Sequence, residues 1–305
     1  MEPPLRIAHL AVLGSLTAAL AGCSVRSMAV NALGSALAEG GSTYATDDDP
    51  ELVGDAVPFG LKTIEALLQE APKHEGLLFA ATSGFVQYSY GWVQMRADFL
   101  EDQDLARATE QRDRARRLYI RARDYGLRGL EGDSPGIKDA LARDPKAALA
   151  RTRKEHAPLL YWTAAAWAGA MSLKINDSEL SADQRIVEAL ARRALELDEA
   201  YDLGSIHDFF ISWESGRSSI GGSIEQAKAH FDRAVALSRG RRASPYVTYA
   251  ESVSVAQQNK AEFTEMLEKA LAVDSSSPTD QRLANLLAQK RARWLLGRQE
   301  ELFIE

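Results

Sequence analysis

A single cysteine among 305 residues leaves no partner thiol, which excludes an internal disulfide framework and a thiolate metal cage. Histidine is scarce too. His9, His74, His156, His207 and His230 are scattered, and no two fall at a zinc-binding spacing such as His-Glu-x-x-His. No glycine loop is built to cradle a phosphate, because Gly221-Gly222 lacks the Gly-Lys-Ser that would follow it. A Gly-x-Ser-x-Gly elbow for a nucleophilic serine is also missing. These gaps remove the common metalloenzyme, nucleotide-dependent and serine-hydrolase classes, and the chain reads as a binder needing no cofactor and no metal. Positive charge falls short as well: 36 Lys and Arg against 43 Asp and Glu give a formal net charge of −7, whereas a nucleic-acid partner requires a basic stripe. Long apolar runs are missing, and the most apolar internal stretch, 158–173, is too short to span a bilayer.

What the sequence does contain begins at its N-terminus. Arg6 supplies a short basic region, and residues 7–21 form an apolar stretch too short and weak for a spanning helix. It ends in Leu20-Ala21-Gly22-Cys23, small residues followed by the lone thiol, as a lipoprotein processing site requires. We therefore expect a signal peptide over 1–22, lipidation of Cys23, and an anchor and tether over 23–46 that includes a small-residue helix over 28–38. Anchoring by several acyl chains is effectively permanent, at about 0.8 kcal/mol per buried methylene. Ser24, where an aspartate would favour retention at the inner membrane, points to the outer membrane, with the body facing the periplasm.

From residue 47 to the end the pattern is helical, and no segment alternates like a strand. Asp49, Pro50 and Glu51 form a helix start, with a capping side chain, a proline at the first turn and an acid at the positive helix end. A calcium loop would need later ligands and a glycine that do not follow Asp47-Asp48-Asp49. Leu61, Ile64, Leu67 and Leu68 line one helix face before Pro72. Helices are expected over 76–99, 105–130, 158–173, 183–198, 203–214, 223–238, 245–257 and 261–273, with a glycine-serine loop over 218–222. A final helix should start at Ser277-Pro278, running through Leu283, Leu286, Leu287, Trp294 and Leu295, with Arg282, Lys290, Arg293 and Arg298 on its outer side.

Within these helices a small-large-small spacing recurs, as in tetratricopeptide units, where small residues let two helices approach and a bulky one fills the gap to the next pair. Ala227, Phe231 and Ala234 fit it; so do Ala115, Tyr119 and Ala122, and Val187, Ala191 and Ala194. Phe263, Leu267 and Ala270 form a degenerate copy, and Gly60, Ile64 and Leu67 a weaker one. The fold expected over 47–305 is an all-α, tetratricopeptide-like superhelix of about four helix pairs with a C-terminal capping helix.

Two helices are dense in aromatics. Tyr88, Trp92 and Phe99 share a face of one, while Tyr161, Trp162 and Trp167 lie among small alanines in the other. Tyrosine and tryptophan keep a polar tip, which suits a partly wet cavity wall as well as a core. Tyr88, Trp92, Tyr161, Trp162 and Trp167, with Tyr119 and His207, form the candidate ligand-binding set, against the alternative that they only fill the core. The run Arg112, Arg114, Arg116, Arg117, Arg121 and Arg123 alternates with acids and reads as a salt-bridged helix face.

Several strings together carry a family likeness: Leu20-Ala-Gly-Cys23, Asp48-Asp-Pro50-Glu-Leu52, Pro58-Phe-Gly-Leu-Lys62, Gln87-Tyr-Ser-Tyr90, Arg117-Leu-Tyr119, Leu160-Tyr-Trp162, Gly204-Ser-Ile-His207, Ala227-Lys-Ala-His-Phe231 and Arg282-Leu-Ala-Asn285. From the lipobox to the last helix the chain resembles the T-component (TatT) family of tripartite ATP-independent periplasmic (TRAP) transporters. That resemblance implies a periplasmic lipoprotein with cryptic tetratricopeptide pairs, a homotrimer with a cavity or pore through each protomer, docking of a periplasmic solute-binding P-component, and a small apolar or organic-acid ligand. It assigns no catalytic residue. The rival function is an envelope assembly scaffold without a small-molecule ligand. An envelope hydrolase would need a convergent acid-base pair that the sequence does not reveal.

Overall fold

The computed structural model describes residues 41–174, 183–217 and 221–304. The signal segment, Cys23 and the expected helix over 28–38 lie outside the described residues, as does part of the 218–222 loop. Among the described residues the chain is helical and contains no strand. The elements are α1 (Gly41–Ala45), α2 (Pro50–Glu70), α3 (Glu75–Tyr88), α4 (Met95–Leu100), α5 (Leu105–Asp133), α6 (Ile137–Arg143), α7 (Pro145–Leu149), α8 (Ala157–Ser172) and α9 (Gln184–Leu197). They continue with α10 (Ser205–Ser215), α11 (Ile224–Ser238), α12 (Ser244–Tyr249), α13 (Lys260–Ala272), α14 (Arg282–Leu296) and α15 (Gln299–Leu302). No described helix is long and apolar enough to cross a membrane.

Polar side chains start these helices by satisfying backbone N–H groups that the first turn leaves open. Asp49 accepts from the N–H groups of Glu51 and Leu52 at 3.1 and 3.0 Å, ahead of Pro50. Asp104, Ser223 and Asn259 do the same for α5, α11 and α13 at 2.9, 3.0 and 3.1 Å. His74 caps α3 through Nδ1, which accepts from Leu77 N–H at 3.2 Å.

Packing follows chain order. The helix α3 lies against α2 and α5, α8 against α5 and α9, α10 against α11, and α13 against α12 and α14. The spacing residues read from the sequence are buried where these helices meet, among them Ala115, Tyr119, Ala122, Val187, Ala191, Ala194, Ala227, Ala234, Phe263, Leu267 and Ala270. The helices α5 and α8 approach each other closely. A Cβ at Gly126 would sit 2.2 Å from Thr163 Oγ1, and one at Gly169 would sit 2.8 Å from the Tyr119 ring, so both positions must lack one. One apolar core runs from Leu61 to Phe210 and a second from Ile211 to Phe303, so α10 gives neighbouring side chains to both.

Four features depart from the sequence reading. The expected helix over 76–99 is interrupted by a widened π turn, Ser89–Gln94, and that over 245–257 passes into a second one, Ala250–Ser254. The helix expected from 203 starts at Ser205, because Asp202, Leu203 and Gly204 have φ of 43°, 55° and 91° and cannot be helical. The final helix starts at Arg282, not at Ser277. The Ser277 hydroxyl donates to Asp274 Oδ2 at 2.8 Å, and Asp274 Oδ1 takes the Ser276 N–H at 2.8 Å, so these groups close a local turn instead of capping a helix. Two short helices, α6 and α7, occupy a stretch for which the periodicity predicts no element.

The last helix is not a free end. Arg282 Nη2 reaches Asp48 at 2.7 Å, Lys290 reaches Glu51 at 2.8 Å, and Arg298 bonds Asp102. Three of the four cations expected to face solvent thus tie α14 and its exit to the start of α2 and to the turn between α4 and α5.

Candidate functional site

The first π turn separates two aromatic populations. On one side Tyr88 and Trp92 stack with centroids 6.2 Å apart and planes 19° apart. Trp92 Nε1 donates to the Pro50 carbonyl at 2.8 Å, and Arg114 donates to the Tyr88 hydroxyl at 3.2 Å. Tyr90 faces elsewhere. Its surface is 43 % open, yet burial pushes its hydroxyl up to about 12. Its hydroxyl therefore lies among protein atoms while part of the side chain stays accessible.

The charges that act on Tyr90 are those of Arg291, Glu251, Asp208 and Asp98. Arg291, buried on α14, donates through Nη1 to Asp98 Oδ2 at 3.0 Å and through Nε to Glu251 Oε2 at 2.8 Å. Asp98 in turn accepts from Arg112 at 3.1 Å, and Arg112 makes a two-pronged bond to Glu101 at 3.0 and 2.8 Å. Burial opposes the Arg291 charge, but Tyr90, Glu251 and Asp98 around it hold the guanidinium protonated. Tyr90 and Glu251 each stand on a π turn, so the two widened turns converge on one arginine. Such turns carry functional groups more often than ordinary helix does.

A second buried arginine, Arg242, faces the same region. It bonds Asp202 Oδ2 at 3.2 Å and the Asp202 carbonyl, while Gln281 holds the other Asp202 oxygen at 2.8 Å. These bonds stabilise the left-handed turn at Asp202 and Leu203, a strained conformation for side-chain-bearing residues. Asp208 lies 3.7 Å from Arg242 and accepts from Ser244 at 2.5 Å through the same oxygen, while its Oδ1 is buried without a hydrogen bond. Asp208 acts on both Tyr90 and Tyr161. Burial pushes the Tyr161 and Tyr119 hydroxyls up, and Tyr119 donates to Gln94 at 2.8 Å, at the end of the first π turn.

Of the residues singled out from sequence, Tyr119 and Tyr161 therefore share this interior with Tyr90. Tyr88 and Trp92 stand on the opposite side of the π turn. Trp162 donates to the Tyr201 hydroxyl at 3.0 Å, with Tyr161 between the two elements. Trp167 is buried against Arg123, whose guanidinium lies 5.1 Å from the ring centre. His207 belongs to another cluster: its Nδ1 meets His230 Nδ1 at 2.7 Å, and its Nε2 meets Glu199 at 3.2 Å. Burial lowers both histidines, His230 to about 4, while Arg233 bonding holds Glu199 down at about 2.

Sequence reasoning missed Tyr90, Asp98, Asp208, Arg242, Glu251 and Arg291. Arg291 was within reach of it, since it follows Leu287 and precedes Leu295 by four residues each and so falls on the apolar face of its helix. Nothing in the residue pattern marks a π turn.

The site gathers two carboxylate-paired guanidiniums and three phenols, an arrangement suited to holding a molecule. Among the described residues no group of three or more His, Cys, Asp or Glu could hold a metal ion. Comparison with known proteins places the fold in context. An uncharacterised protein of Treponema pallidum (strain Nichols) is 29% identical over 304 residues, covering 93% of this chain and 94% of that protein. A family model described as TRAP transporter T-component matches residues 46–303, nearly all of the chain beyond its N-terminal segment. The chain belongs to the TRAP transporter T-component family.

Proposed function

We propose that the protein is a lipid-anchored, periplasm-facing accessory component of a TRAP-type transport system, held at the outer membrane through Cys23. In this reading it takes a small apolar or organic-acid solute and docks a periplasmic solute-binding protein, as a homotrimer of tetratricopeptide-like helix pairs. Family membership supports the accessory role in transport. Helices packed in chain order through buried small-large-small positions support the repeat architecture.

The observation that carries the solute reading is the gathering of Tyr90, open over 43 % of its surface, with Tyr119, Tyr161 and the buried Arg291 and Arg242. Ring faces of Tyr90, Tyr119 and Tyr161 suit an apolar body, and a free phenol offers one directional hydrogen bond. Both buried guanidiniums are already paired with carboxylates, so an apolar or hydroxylated occupant fits this interior better than a carboxylate does.

Native mass spectrometry of the purified, delipidated chain tests this. A co-purifying small molecule is expected in the wild type and lost in Tyr90→Trp, which fills the space without removing a hydrogen bond. An empty wild-type protein that still captures a solute-binding partner would turn the reading towards an assembly scaffold.

A further inference from the structure

The seam where α14 meets α2 contains a cleft of about 150 Å³, bounded by α2, the first π turn with α4, and α14. Its apolar wall is made by Trp92, Met95 and Phe99, with Gly91 among its lining residues. Trp92 is fixed by its bond to Pro50 and by contact with Gly54, where an added Cβ would come within 2.3 Å of the indole. Phe99 is held by Trp294, at a centroid distance of 5.2 Å. A cavity of about this volume accommodates a benzene-sized body.

The polar lining consists of Glu51, Lys290 and Arg96. Lys290 and Glu51 neutralise each other at 2.8 Å. Arg96 is exposed and makes no hydrogen bond or ion pair with any described residue, although its charge helps hold the Glu51 carboxyl below its usual range, after the larger effect of Lys290. Among the lining residues two cations stand against one acid, with Asp49 near enough to act on Glu51, and Arg96 is the cation left without a bonded partner among the described residues. An idle guanidinium there pairs most strongly with a carboxylate, whose two oxygens match its fork.

We propose that this cleft binds a small monocarboxylate with an apolar body of about six carbons, the body against Trp92, Met95 and Phe99 and the carboxylate on Arg96. This gives the organic-acid class of the transport reading a place of its own. It rests on that reading only for its biological purpose, because binding here depends on Arg96 and retention in the interior depends on Tyr90.

Isothermal titration of the mature chain with hexanoate, and with hexan-1-ol as its uncharged counterpart, provides the test. Hexanoate should bind once per chain and up to about fivefold tighter than the alcohol, the difference an ion pair at an exposed arginine supplies. Arg96→Gln should bring the two to equal affinity while Arg96→Lys keeps part of the preference. The guanidinium has no bond to lose, so both variants should melt as wild type does. Lys290→Gln offers a second check, since it leaves Glu51 unpaired beside the anion and should weaken hexanoate binding but not that of hexanol. Equal affinity for acid and alcohol, a preference for the acid that survives Arg96→Gln, or no heat from hexanoate at millimolar concentration would each overturn the assignment. Tyr90→Trp should leave hexanoate binding unchanged, so failure at the cleft and failure in the interior give different results.

Discussion

Gly54 and Trp92 illustrate how much a single missing methyl can position. The indole ring occupies the space a Cβ would take at Gly54, only 2.3 Å from the would-be atom, and its N–H reaches the Pro50 carbonyl. Gly54→Ala should expel the ring, break that bond and cost about 1–3 kcal/mol by overpacking. A shift of tryptophan emission together with a lower urea midpoint would register it; unchanged emission would mean the ring has another place to go. The His207–His230 pair makes a different prediction. Burial lowers both, His230 to about 4, below the ordinary histidine value near 6.5. The unfolded chain then binds protons that the folded one refuses, so stability should be full above pH about 6.5 and should fall as pH drops towards 4. Glu199, held at about 2 by Arg233, contributes once the unfolded carboxyl begins to take up its proton, below pH about 5, so the slope between pH about 5 and 6.5 belongs to the histidines. His230→Phe, which keeps a ring to stack on Phe210, should flatten the pH dependence of the urea midpoint between pH about 5 and 6.5. An identical slope in the variant would assign it elsewhere. At this scale capping was legible in the sequence, since Asp49 is bound to its own neighbours in the chain. The partners of His207 were not, since Glu199 and His230 reach it only after α10 and α11 have packed.

At the scale of elements, helix spacing and helix winding depend on different information. Spacing between α5 and α8 is set by small residues, and the tetratricopeptide-like pattern makes Ala115, Tyr119 and Ala122 readable as an interface from the order of residues alone. Gly126 belongs to the same contact, and a methyl there would meet Thr163 Oγ1 at 2.2 Å. Gly126→Ala should therefore lower the melting temperature by several degrees, the size of an overpacking penalty of about 1–3 kcal/mol, and differential scanning calorimetry would detect it. Winding was not readable. A π turn preserves the apolar spacing on both sides of it, so the periodicity over 76–99 looks continuous although Ser89–Gln94 is not α-helical. The cluster at Arg291 depends on those turns. Arg291→Met should cost up to about 3–5 kcal/mol in urea unfolding, because half-buried Glu251 loses its partner and buried Asp98 is left with Arg112 alone, which also serves Glu101. Adding Asp98→Asn and Glu251→Gln should recover part of that loss. If the triple variant is no more stable than the single one, the cost lies in lost packing rather than in stranded charge.

For the whole molecule, the defining event is that the last long helix packs back against α1 and α2. Salt bridges at exposed positions contribute only about 0–1 kcal/mol each, so Arg282–Asp48 and Arg298–Asp102 register the seam more than they hold it. The double variant Arg282→Ala/Arg298→Ala should leave the melting temperature nearly unchanged yet speed amide exchange at 46–54 and 98–104, as hydrogen-exchange mass spectrometry would show. A large global loss would mean that this seam is part of the folding unit. An all-helical chain whose helices follow one another in space was legible because each contact is local in sequence. The return of the last helix was not, because an amphipathic helix looks the same whether its cations face water or a neighbour.

The two widened turns have one more implication. Each holds a residue more than an ordinary α-helical stretch would, and one residue corresponds to about 100° of rotation about the axis. Losing a single codon within Ser89–Gln94 would let the helix rewind smoothly, with every backbone amide still satisfied, while swinging Tyr90 a quarter-turn or more away from Arg291. Such a shortened chain would remain helical but part Tyr90 from Arg291, so folding and the assembly of that cluster are separable by one excised amino acid.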